Sequence, residues 1–156
     1  MTDGDARDIV EIQQLIYRYG WAIDHREFDS LDDIFTEDAV IHYDVEGGTK
    51  KPFQEMKTWL PGGLSQFRLT QHNMSNPMVE IDGDRASSRT YGHLIHVQEV
   101  LAGGTSVMRH HAIYTDAWVR TPAGWRIEHR TLSNLYMDGP VLPVDEVKHY
   151  TKPLPF

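Results

Sequence analysis

From Asp5 to His25, apolar side chains recur at Ile9, Ile12, Ile16, Tyr19 and Ile23, a three-and-four spacing that lines one face of a helix. Asp3 or Asp5 can cap its start. A short second helix is predicted over Phe28 to Phe35, with Leu31, Ile34 and Phe35 on one side and Asp29, Asp32 and Asp33 toward water. After the break at Thr36-Glu37-Asp38, Ala39 to Val45 is β-branched and aromatic and reads as a strand, ended by Gly47-Gly48. Lys51 to Leu60 suggests a weaker third helix, bounded by Pro52 and Pro61 and followed by Gly62-Gly63.

From Phe67 onward four strand-like runs are separated by turn signals at Asp82-Gly83-Asp84, Ala102-Gly103-Gly104 and Pro122-Ala123-Gly124. The run from Arg85 to Val100 is long for one strand and predicts a bend or bulge in a curved sheet. Helices first and an antiparallel meander afterwards define an α+β fold whose helices cover one sheet face and leave room for a pocket. A single domain over 1–156 is expected, with 139–156, which holds four prolines, as an extended C-terminal arm.

The chain has 156 residues, 40% of them hydrophobic, which is ordinary globular composition. Its formal charge of −8 disfavours nucleic acid and anionic membranes and favours a small neutral or apolar ligand. Without cysteine there is no disulfide, thiolate metal site or cysteine nucleophile. The polar, acidic start is unlike a signal peptide, and no apolar run approaches the ~20 residues of a membrane helix, so a cytoplasmic location is expected.

Nine histidines are present, several of them, His72, His93, His96, His110, His111 and His129 included, inside predicted strands. Alternation requires His93 and His96 to face opposite ways, and His110 and His111 likewise, unless a bulge intervenes. The ordinary reading of any one of them is a sheet histidine satisfied by hydrogen bonds. His110-His111 adjacency is a poor chelate and no HExxH spacing exists, so no metal is expected. Asp24, near the end of the first helix, meets the unfavourable pole of the helix dipole and needs a partner, unless it only opens the connection to the next helix. A histidine suits it, because a carboxylate accepting the Nδ1 hydrogen leaves Nε2 free to take a proton.

The stretch from Tyr17 through Leu31 resembles the helix end of scytalone dehydratase, hexachlorocyclohexane dehydrochlorinase and the bile-acid dehydratases. These belong to the SnoaL-like, scytalone dehydratase-like branch of the NTF2-like superfamily. Asp24 falls on the family's dyad aspartate. Thr70-Gln71-His72, forty-eight residues later, places a histidine at the family's catalytic base. Tyr43 in Ile41-His42-Tyr43 matches a tyrosine that polarises a substrate carbonyl, His96 falls near a second pocket histidine, and Tyr19 precedes Asp24 at a catalytic tyrosine's spacing. Gly124-Trp125-Arg126-Ile127 resembles the superfamily's last-strand signature, and the likeness spans Ile9 to Arg130.

The resemblance implies a cone-shaped curved antiparallel sheet covered by N-terminal helices, the NTF2-like or cystatin-like α+β barrel. It implies cofactor-independent removal of water from a cyclic or polycyclic hydroxy-carbonyl compound, with Asp24, His72, Tyr43, Tyr19 and His96 catalytic. In that scheme His96 protonates the departing hydroxyl, while Tyr114, His110 and Arg130 contact substrate. An isomerase or polyketide-type cyclase with the same dyad, and a non-catalytic ligand-binding subunit, remain alternatives. Ala112 and Tyr114 stand where scytalone dehydratase has serine and asparagine, which argues against scytalone as substrate, and Tyr19 replaces the dehydrochlorinase's lysine, which argues against dehydrohalogenation. Arg130 is either a pocket arginine or part of a surface ion pair. By analogy a homodimer or homotrimer is expected, with Trp118, Val119 and Tyr136 at its interface.

Overall fold

The computed structural model describes residues 3–44 and 49–152. Helix α1 spans Asp3–His25 and buries Ile12, Leu15, Ile16, Tyr19, Ala22 and Ile23, the predicted face with Leu15 and Ala22 added and Ile9 only half-buried. Asp5 lies inside its first turn instead of ahead of it, and the side chain of Asp3 is outside the described residues. The predicted second helix is a 3-10 turn over Phe28–Asp33. Leu31 and Ile34 are buried while Asp29, Asp32 and Asp33 face water, and Lys57 bridges Asp29 and Asp32 at 3.1 and 2.8 Å.

Phe35 does not end that helix; it begins strand β1, Phe35–Asp44. The polar Thr36-Glu37-Asp38 run becomes an irregularity inside the strand, where register shifts between Phe35 and Val40. Val45 and Gly47-Gly48 lie outside the described residues. Lys51 and Pro52 are not helical but close strand β2, Thr49–Pro52. Helix α2 runs Phe53–Ser65, straight through Pro61 and Gly62-Gly63. Burial of Phe53, Met56, Leu60 and Leu64 along one face outweighs the local breakers.

Strands β3 (Leu69–Asp82), β4 (Arg85–Glu99), β5 (Thr105–Thr121) and β6 (Gly124–Asp138) form the antiparallel meander. The sheet order is β2-β1-β6-β5-β4-β3, and β1 joins β6 in parallel. The sheet is therefore open, with β2 and β3 as its edges. The expected bulge in β4 is absent: β4 pairs without interruption from Arg85↔Val119 to Glu99↔Thr105. Extra residues instead fall in β3, between Ser75 and Met78 where Asn76 adopts φ 51°, and in β6 opposite His111/Ala112 and Ala117/Trp118.

After Gly139 the chain makes a short 3-10 turn at Val144–Glu146 and returns to the sheet, where buried Val147 bridges Val100 and the Tyr150 N–H donates to the Ser65 carbonyl. Inward-facing residues of β4 and β5, among them Leu94, Ala112, Tyr114 and Trp118, meet α1 and α2 to form the core. Trp118, expected at an interface, is fully buried and its Nε1–H donates to Ser88 Oγ at 2.9 Å.

Candidate active site

The last turn of α1 lies against the start of β3. Gly20 makes this approach possible: a Cβ there would stand 2.8 Å from the main-chain oxygen of His72. One turn later Asp24 grips His72 twice, Oδ2 accepting from the backbone N–H at 2.6 Å and Oδ1 lying 2.7 Å from ring Nδ1. A carboxylate in that position selects the Nδ1–H tautomer and leaves Nε2 as the basic nitrogen. Both side chains are mostly shielded from water.

The expected facings hold along the meander. His96 and His110 point inward, while His93 and His111 lie on the outer face. The His96 ring stands 5.7 Å from that of His72 and packs edge-on to Phe67. Burial, reinforced by the neighbouring imidazoles of His72 and His110, pushes the His96 pKa down to about 3. The shift favours the neutral form of His96 at physiological pH. His110 is also shifted down, by burial first, although its contact with Asn134 opposes the shift. Its Nε2 and the Nδ1 of His96 are buried with no hydrogen-bond partner.

Tyr19 sits edge-on to His72, with ring centres 6.3 Å apart, and to Tyr114 at 5.9 Å. Gly92 leaves the space that the Tyr114 ring fills, since a Cβ on it would come within 2.5 Å of that ring. Burial raises the pKa of Tyr19, Tyr43 and Tyr114, so all three are hydroxyl donors, not phenolates. The Tyr43 hydroxyl donates to Met56 Sδ at 3.2 Å.

Arg130 is in no surface pair. It is 1% exposed and makes a bidentate bond to buried Asp116, Nε and Nη2 lying 2.7 and 2.8 Å from the two carboxylate oxygens. Its guanidinium lies 4.1 Å from the Tyr19 ring centre and 4.9 Å from that of Tyr114. Burial opposes its charge, but Asp116 more than compensates and the pKa is raised. Nη1 is buried without a partner.

A groove of about 1330 Å³ runs outside this cluster, between α1 and the β3 edge. Its walls include Tyr17, Trp21 with His25 stacked on it at 3.9 Å, Leu69 and Asn73, and it reaches Asp24 and His72. Tyr19, Tyr43, His96, Tyr114 and Arg130 do not line it. The dyad therefore stands between an open aromatic groove and a packed, polar interior.

Three features escaped the sequence reading: Gly20, Asp116 and Arg26. A glycine inside an otherwise good helix was a signal for the first. Asp116, between Tyr114 and Trp118 on the inward-facing register of β5, was a signal for the second. Arg26 adopts φ 61° and ties α1 to Thr70 Oγ1 at 2.9 Å, and nothing local in the sequence announces it. Among the described residues no group of three or more His, Asp or Glu side chains converges as metal ligands, and no helix is long and apolar enough to cross a membrane.

The sequence model of the SnoaL-like domain matches residues 4–131. The uncharacterized protein Rv2910c of Mycobacterium tuberculosis (strain ATCC 25618 / H37Rv) is 42% identical over 131 residues, 83% of this chain and 87% of that protein. Among solved structures, the Kfla4162 protein of Kribbella flavida superposes with a TM-score of 0.78 at 26% identity, covering 86% of this chain and 95% of its own. A protein of Novosphingobium aromaticivorans DSM 12444 provisionally named a scytalone dehydratase also gives 0.78, at 21% identity over 95% and 96% of the two chains. At that identity the likeness is one of fold. With the match over most of its length, the chain belongs to the SnoaL-like family.

Proposed function

We propose that this protein is a cofactor-independent lyase that removes water from a cyclic or polycyclic hydroxy-carbonyl compound, with Asp24 and His72 as its acid/base dyad. The observation that carries this reading is the double grip of Asp24 on His72, which fixes tautomer and ring orientation together. Nε2 of His72 takes the hydrogen next to the substrate carbonyl. The electrons move into an enolate, the carbon–oxygen bond to the β-hydroxyl breaks, and the departing oxygen receives the proton from the His72 imidazolium, so that one water leaves. Neutral His96 contributes a hydrogen bond instead of a proton. Tyr19, whose ring packs edge-on to that of His72, is assigned the enolate oxygen, and Tyr43, Tyr114, His110 and Arg130 the carbonyl end. This requires substrate to pass from the groove beyond the dyad into the interior. The aromatic walls of the outer groove suit a flat, apolar ring system.

The test is incubation with a panel of cyclic β-hydroxy ketones, read by product mass. Loss of water that disappears in His72→Ala supports the reading. A product of unchanged mass from the same dyad means isomerisation, and turnover that survives His72→Ala overturns the mechanism.

A further inference from the structure

His93 on β4 and His111 on β5 are directly opposed in the sheet register, and they project from the outer face, away from the Asp24/His72 site. Their Nδ1 atoms stand 2.9 Å apart, with the rings nearly perpendicular at 86°. We propose that this pair is a two-point chelate for a divalent transition-metal ion, Cu(II) foremost, with water completing the shell. A contact between two Nδ1 atoms needs one shared proton, one ring donating and the other accepting. A metal ion can take the place of that proton, once a small rotation of each ring turns both lone pairs outward.

The separation lets both nitrogens share one coordination shell. With imidazole–metal bonds of about 2.0–2.1 Å, two nitrogens at right angles about one ion stand about 2.9 Å apart, whereas tetrahedral ligands stand about 3.3 Å apart. The hydrogen-bonded nitrogens already stand within reach of neighbouring positions of a tetragonal shell, the preference of Cu(II) and Ni(II), and Cu(II) binds nitrogen ligands most strongly of the divalent first-row ions. Tyr136 pairs with His111 across β6 and packs its ring 5.7 Å away, which limits the imidazole's freedom before a metal arrives. The nearby cation on this face, Arg109, is met by Asp138 at 3.4 Å, and the chain's net charge of −8 favours a cation. With two protein ligands the bound ion keeps open positions and exchanges readily.

The experiment is calorimetric titration of the full, untagged chain with Cu(II), with EPR of the loaded protein and circular dichroism to verify folding. His93→Gln and His111→Gln are compared with His25→Gln, which alters a half-buried histidine on α1. Saturable binding through two nitrogens, weakened about tenfold or more in each of the first two variants and unchanged in the third, supports the site. Wild-type affinity retained in either His93→Gln or His111→Gln, or no saturable uptake by the wild type, overturns it.

Discussion

The main-chain oxygen of His72 lies where the side chain of residue 20 would begin, so Gly20 sets how closely α1 can approach β3. Helix propensity favours alanine over glycine by about 1 kcal/mol. The backbone contact of 2.8 Å reverses that preference, because neither atom sits on a flexible side chain. Gly20→Ala is expected to destabilise the protein by about 1–3 kcal/mol, as overpacking does. Thermal unfolding measures the loss, and NMR of the His72 ring reports whether Asp24 still holds it; an unchanged melting temperature would show that α1 can shift without cost.

Asp24→Asn keeps the shape of the side chain but removes the carboxylate that selects the Nδ1–H tautomer. The expected outcome is a mixture of His72 tautomers in long-range 1H–15N spectra, with turnover of any accepted β-hydroxy ketone down about 10²- to 10⁴-fold. A single, wild-type tautomer in the variant would show that something other than Asp24 orients the ring.

His96 makes stability depend on pH. Its folded pKa of about 3 lies below the value of 6.5 for a free histidine, so between those limits the unfolded chain binds the extra proton. The contribution is fully present above pH 6.5 and is lost as pH falls toward 3, at about 1.4 kcal/mol per pH unit once the unfolded histidine is protonated. Urea unfolding at pH 7, 6 and 5 should show a decline that is shallower in His96→Gln. Parallel curves for the two proteins would refute the assignment.

Asp116 and Arg130 are both buried, so removing one strands the other's charge. Asp116→Asn is expected to cost about 3–5 kcal/mol, whereas the double change Asp116→Leu/Arg130→Met recovers much of the loss. Urea midpoints of the three proteins measure this. If the double variant is no more stable than Asp116→Asn, the pair is not the source of the cost.

The helix face of α1, the four meander strands and the opposite facings of His93/His96 and His110/His111 were legible because periodicity reports which side of an element is buried. Asp24 and His72 were legible only through the family resemblance, since nothing local links positions forty-eight apart. The errors came where tertiary burial overrode local chemistry. Pro61 and Gly62-Gly63 stay helical because Leu60 and Leu64 face the core, and Phe35 leaves its helix because β1 must reach β6. The partnership of Arg130 with Asp116 depends on a cross-strand register that no spacing in the chain reveals.

The bulge at Asn76 lies in β3, which ends the sheet on one side, and the next residue, Pro77, has no N–H to offer. Further along the same edge, the N–H of His72 is already taken by Asp24. A second chain approaching this border meets an interrupted row of donors and a kink, which are the devices by which native sheets avoid growing into aggregates. The carboxylate that orients the imidazole thereby also removes one donor from the open edge of the sheet.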